Sequence, residues 1–148
     1  MIQTPYVAVD GIVEIRRDKG MVGIVLIERL NEPRGLALPG GFVDIGERVE
    51  TALVREMSEE LTLDVTIESL LGVYSDPARD KRFHTVSAVY ICSASGDPVG
   101  ADDAKSAFIC PLDAIPFDKL VFDHAQILAD YLTYRQTHTI SSERKTHD

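Results

Sequence analysis

Residues 41–63 read GFVDIGERVETALVREMSEELTL, a glycine-led loop feeding a helix predicted over Val49 to Leu61 that carries Glu56, Glu59 and Glu60. At about 100° per residue these three carboxylates fall within roughly a third of the helix circumference. Leu53, Val54, Met57 and Leu61 take a separate arc of similar width. The helix is therefore predicted to present a core face and, beside it, a face of triple negative charge. Glu56 and Glu60 form a like-charge i,i+4 pair, which is destabilising, and Arg55 offsets only part of the cost. A bound hard cation would remove it, since Mg²⁺ takes oxygen ligands and keeps positions open for substrate phosphates. On spacing alone, a solvated acidic face and a metal site both stay open.

The wider pattern of Gly41, Glu47, Arg55, Glu56, Met57, Glu59, Glu60 and Leu63 resembles the Nudix box, G-x5-E-x7-R-E-U-x-E-E-x-G-U with U apolar. One position departs, because the second glycine of that pattern is Thr62 here. Glycine suits a left-handed helix C-cap, whereas a β-branched residue there is strained by about 1 kcal/mol or more. The departure puts the helix exit in question and leaves the glutamates upstream untouched. The resemblance implies an α/β fold, the Nudix α/β/α sandwich with a mixed β-sheet between helices. It also implies Mg²⁺, with Mn²⁺ as the alternative, held by Glu56, Glu59, Glu60 and the carbonyl of Gly41. Arg55 and Glu47 would form an ion pair that orients the cluster. The general base stays open between Glu60 and an acid from a loop outside the box, where Asp102 and Asp103 are suitably placed, with Asp103 the residue to test.

Length and charge narrow the remaining classes. The 148 residues, 45% of them hydrophobic, suffice for one domain with a single core. That domain is set at residues 1–136, and the polar stretch 137–148 is expected to be a disordered tail. A net charge of −9 argues against a nucleic-acid backbone as partner. An acidic chain holds an anionic nucleotide only with a bridging cation, which agrees with the glutamate face. No apolar run approaches the roughly 20 residues of a membrane span. The N-terminus MIQTPYVAVDG lacks the regions of a signal peptide, so a cytoplasmic location and no membrane partner are expected. Cys92 and Cys110 lie in the strand-like runs VYICSA and AFICPL, as buried thiols rather than a disulfide framework.

In chain order, strands are predicted over residues 6–15, interrupted at Asp10-Gly11, and over 21–30, read as a central buried strand. Further strands follow over 65–75, 83–93 and 107–112, with a hairpin-like connection at the charged loop 76–82. Residues 117–121 receive no element. A last helix is expected around 125–134, with Asp123 as N-cap, Gln126 completing a capping box and Phe122 stapled onto Ile127. Strands interleaved with two helices predict a mixed sheet covered on both faces.

By resemblance, the reaction is hydrolysis of a nucleoside diphosphate linked to another moiety, by water attack on phosphorus assisted by metal. Residues 74–90, YSDPARDKRFHTVSAVY, are similar to the segment after the box in ADP-ribose pyrophosphatase-like members, which often read S-x-P-x-R-D-P-R-x-H. Ser75, Pro77, Arg79, Asp80, Arg82 and His84 match, while Lys81 and Phe83 depart; FDHAQIL over 122–128 also recurs in such proteins. The similarity implies ADP-ribose as first substrate, giving AMP and ribose 5-phosphate. Arg79 and Arg82 suit bidentate contacts to phosphate or ribose oxygens, with a solvated basic loop as the plainer alternative. Arg29, near the Pro39-Gly40-Gly41 turn, is a further candidate for a phosphate contact. Phe83 or Tyr74 is expected to stack on a base or else to pack in the core, and His84 to touch substrate or serve as a structural residue. A house-cleaning nucleoside triphosphate pyrophosphatase is the alternative enzyme, and a non-catalytic nucleotide-sensing domain the alternative outside enzymes. The partner is a small nucleotide, and a homodimer is common among relatives.

Overall fold

A strand sealed on both faces needs apolar side chains pointing both ways, and the first strand has them. In β1 (Tyr6–Arg17), Val9, Val13 and Ile15 enter one core while Ile12 enters the other. The computed structural model describes residues 1–101 and 104–138. The other strands are β2 (Gly20–Arg29), β3 (Leu36–Ala37), β4 (Gly40–Phe42), β5 (Thr66–Tyr74), β6 (Thr85–Ala94) and β7 (Ala104–Cys110). They form one seven-stranded sheet in the order β3-β2-β1-β6-β5, with β4 paired to β1 and β7 to β2. β1 and β6 run parallel from Tyr6↔Thr85 to Ile15↔Ala94. The other pairings are antiparallel, so the sheet is mixed. β2 lies inside the sheet as expected, but the centre belongs to β1.

Helix α1 (Val49–Leu61) covers one face with Ala52, Leu53, Met57 and Leu61, all fully buried. Val54, expected in that arc, is 38% exposed, and Glu60 is 5% exposed. The buried arc is therefore centred nearer the carboxylates than the apolar spacing suggested, which turns Glu60 inward. Thr62 ends the helix in the left-handed conformation, φ 56° and ψ 36°. Its side chain offsets part of that strain. Thr62 Oγ1 donates to the Leu61 carbonyl at 2.5 Å and to the Val99 carbonyl at 3.2 Å. Val99 N–H and Ala101 N–H in turn donate to the carbonyls of Leu61 and Glu60, which meets two of the orphan acceptors of the last turn.

Helix α2 (His124–Thr137) covers the opposite face through Ile127, Leu128 and Tyr131. Tyr131 donates to Glu14 of β1 at 2.6 Å, and Arg135 to the same oxygen at 2.9 Å, tying helix to sheet. The expected capping box is not formed. Asp123 sits at the N-cap without a side-chain cap bond, because its carboxylate is taken by Arg79, and Gln126 donates to Asp130 instead. Phe122 adopts φ 57° and faces a cavity rather than stapling Ile127. The helix runs through residue 137, where the tail was expected to start; residues 139–148 lie outside the described part. Phe117–Lys119 forms a single 3-10 turn. Cys92 and Cys110 are buried and free, and burial pushes the Cys92 thiol up to about 12. Among the described residues no helix is long and apolar enough to cross a membrane.

Candidate active site

A cavity of about 320 Å³ opens where β1, β4 and β6 meet the start of α2, and it draws on both faces of the sheet. From the α1 side come Glu56 and Glu60, and from the α2 side Asp10, Arg79, Thr85 and His124. Gly40 and Gly41 form the divide. A β-carbon on Gly41 would lie 2.2 Å from the Glu56 carboxyl carbon, and one on Gly40 would lie 2.3 Å from Asp10 Oδ1. Only glycine lets the two carboxylates close on this turn from opposite sides.

On the α1 side, Arg55 gathers the acids. Its Nε and Nη2 donate to Glu47 at 2.7 and 2.9 Å, and Nη1 to Glu56 at 2.9 Å and Glu59 at 3.1 Å. Nη2 also reaches the Phe42 carbonyl at 3.1 Å. These bonds, with help from the Asp44 N–H, hold the Glu47 carboxyl down at about 2 and raise the Arg55 guanidinium. Burial pushes Glu56 the other way, above the usual carboxylate range, and Arg55 counters this only in part. Glu60 accepts a hydrogen bond from Gly40 N–H at 3.3 Å.

The donors facing the cavity from this side are oxygens, the chemistry a hard divalent cation takes, and Glu56 carries a desolvated charge that such a cation would offset. Among the described residues, however, no three acids, histidines or cysteines converge on one point. Glu59 is 49% exposed in its side chain, bonds to Arg55 and does not line the cavity. Glu56, Glu60 and the Gly41 backbone fit a cation; Glu59 stands apart.

The α2 side holds a buried polar network. Arg79 donates to both Asp123 oxygens at 2.9 and 2.8 Å and lies 3.9 Å from Asp10. Ser87 donates to Asp10 Oδ2 at 2.5 Å. His124 Nδ1 accepts from Leu38 N–H at 2.9 Å, which leaves the ring proton on Nε2, 3.8 Å from Asp10. Burial lowers the His124 pKa despite the pull of Asp10 and Asp123, so the ring is neutral. Asp80 is held below its ordinary value: burial would raise it, but bonds from Arg82 prevail.

The remaining predicted contacts separate. Arg29 lines the cavity, donates to the Pro33 carbonyl at 2.7 Å and lies 5.0 Å over the Phe122 ring. Arg82 also lines it, between the Phe83 and Phe122 rings at 4.9 and 5.4 Å. Tyr74 cannot stack on a base: it is 3% exposed beneath α2, and its hydroxyl donates to Asp130 at 2.6 Å. Phe83 packs with Tyr6 and Phe42 on the surface beside the opening. His84 ties its loop, its Nε2 lying 2.9 Å from the Ser75 carbonyl, which is the structural role. Asp102 and Asp103 lie outside the described residues. Sequence reasoning passed over Asp10, Thr85, Phe122 and His124. An acid inside the apolar run YVAVDGIVEI was the one available signal for Asp10, and the FDHAQIL phrase for Phe122 and His124; nothing marked Thr85.

The geometry and the comparisons with known proteins agree. The NUDIX domain family model matches residues 5–131. An ADP-ribose pyrophosphatase of Methanocaldococcus jannaschii is 49% identical over 134 residues, covering 88% of this chain and 75% of that protein. Among solved structures, a NUDIX hydrolase from Nitrosomonas europaea superposes with a TM-score of 0.81 at 23% identity, over 99% of this chain and 80% of that one. A bifunctional NMN adenylyltransferase/ADP ribose pyrophosphatase from Francisella tularensis, complexed with AMP and Mn ion, gives 0.78 at 27% identity, covering 89% of this chain but 42% of that one. The chain belongs to the Nudix hydrolase family.

Proposed function

We propose that the protein is a divalent-metal-dependent pyrophosphatase that hydrolyses ADP-ribose to AMP and ribose 5-phosphate. The observation that carries this is one cavity joining an oxygen-donor wall, Glu56 and Glu60, to a wall of arginines and an aromatic ring, Arg29, Arg82 and Phe122. The 49% identity to an ADP-ribose pyrophosphatase supports the substrate, and the Mn ion and AMP in a 27% identical structure support the metal and the nucleotide.

Glu56, Glu60 and the Gly41 carbonyl would hold Mg²⁺ or Mn²⁺, which when bound supplies Lewis-acid polarisation of phosphoryl oxygens. Arg55 and Glu47 keep Glu56 in place through charge-assisted bonds. Glu60 accepts the proton of the attacking water, with Asp103 as the alternative base. The water oxygen bonds to one phosphorus, the bridging P–O bond breaks, and the departing phosphate keeps the electron pair. Arg82 and Phe122 offer the substrate a charged plane and a stacking face. Release of AMP from ADP-ribose with Mg²⁺, abolished by EDTA, tests this reading. Turnover of 8-oxo-dGTP in preference to ADP-ribose would replace it with triphosphate house-cleaning. Metal-independent binding without turnover would replace it with sensing.

A further inference from the structure

Thr85 opens β6, and its hydroxyl is the one buried side-chain oxygen or nitrogen among the described residues without a hydrogen-bond partner. The residue is 3% exposed, yet it lines the cavity. Leaving a buried hydroxyl unpaired costs about 1–3 kcal/mol. Two residues along the same face of the strand, Ser87 shows the satisfied alternative, its hydroxyl bonded to Asp10. Valine at position 85 would keep the shape at no such cost. A group that enters the cavity beside Thr85 would supply the missing partner.

The charge of this wall narrows what that is. Arg79 is bonded twice to Asp123, and Arg82 twice to Asp80. Asp10 is held by Ser87 and faces Arg79 and His124 from 3.9 and 3.8 Å. Charges already paired to one another suit an uncharged group that can both donate and accept. We infer that the Thr85 hydroxyl, set among charges already paired to one another, binds a sugar hydroxyl of the nucleoside diphosphate substrate. The inference rests on the proposed activity and deepens it: Thr85 distinguishes substrates by their sugar.

The test pairs Thr85→Val and Thr85→Ser with three substrates: ADP-ribose, its 2′,3′-dideoxyadenosine analogue, and ADP esterified to ethanol. For ADP-ribose, Thr85→Val raises KM about tenfold with kcat within about twofold, the effect of one lost hydrogen bond, and Thr85→Ser restores it. On the substrate lacking the hydroxyl that Thr85 binds, the Val and wild-type KM values coincide, and which analogue shows this identifies the sugar. In thermal unfolding of the metal-free protein, Thr85→Val is as stable as wild type or more so, because it removes an unpaired hydroxyl. A fall in Tm of more than about 3 °C would mean a protein partner for the hydroxyl and overturn the inference. So would an unchanged KM for ADP-ribose, or a tenfold difference that persists on both analogues. If the wild-type protein turns over none of the three, the proposed activity fails and the subsite with it. If it turns them over and Thr85→Val matches it throughout, the subsite alone fails.

Discussion

The two walls of the cavity are built from similar groups in opposite ways. On the α1 side one arginine, Arg55, serves Glu47, Glu56 and Glu59, all within eight residues of it, and Glu56 stays desolvated with its pKa raised. On the α2 side the arginines are matched: Arg79 holds Asp123 across 44 residues of chain, and Ser87 holds Asp10 across 77. The first wall is short of positive charge and suits a cation. The second is closed on itself and suits shape and hydroxyl recognition. Burial of charge alone therefore does not mark the reactive side; the balance of partners does.

Four tests bear on this contrast. Arg79→Met leaves Asp123 and Asp10 without their cation and should cost about 3 kcal/mol in urea unfolding. In an Asp123→Asn background the same change should cost clearly less, and equal costs in both would dissolve the matched-pair description. Glu56→Gln should lower kcat by at least about 100-fold, the upper range for partners of a catalytic metal. It should not lower the Tm of the metal-free protein, because it removes a carboxylate whose charge burial disfavours. A lowered Tm would show that Arg55 already compensates Glu56.

Acid should loosen the α2 wall before the Arg55–Glu47 pair. The folded pKa of His124 is depressed, so its contribution is complete above about pH 6.5 and is lost as pH falls from there towards the folded value, at no more than about 1.4 kcal/mol per pH unit. Glu47, held at about 2, contributes above about pH 4.5 and loses its share only below that. Urea midpoints between pH 8 and 5 should show the first slope, and His124→Asn, which keeps an acceptor for Leu38 N–H, should flatten it. The smallest effect belongs to Thr62→Gly. Relief of the left-handed strain should gain about 0.5–1 kcal/mol after the lost Val99 bond is counted. A loss of stability there would show that the hydroxyl bonds outweigh the backbone strain.

The α1 wall was legible because its partners are helical neighbours. Arg55 meets Glu59 one turn away, and Glu47 lies on the loop just before the helix, so a local period places them. Even there, the inward turn of Glu60 and the exposure of Val54 were decided by how the helix docks on β1 and β4. Tyr74 was left open between base and core, and Asp123 was misread, for the same kind of reason. A tyrosine in a strand and an acid before a helix have ordinary local uses, and each was claimed instead by a residue distant in sequence, Asp130 and Arg79.

The order of residues by itself determined the glycine turn, the span of α1 and its acid and arginine face, since these follow from spacing within one element. Tertiary structure alone decided that Asp10, Thr85, Arg79, Asp123 and His124 share one wall, and that Thr85 ends there with an unpaired hydroxyl. Parallel pairing of β1 with β6 and the docking of α2 bring those residues together, and no periodicity along a chain encodes a contact closed by the sheet.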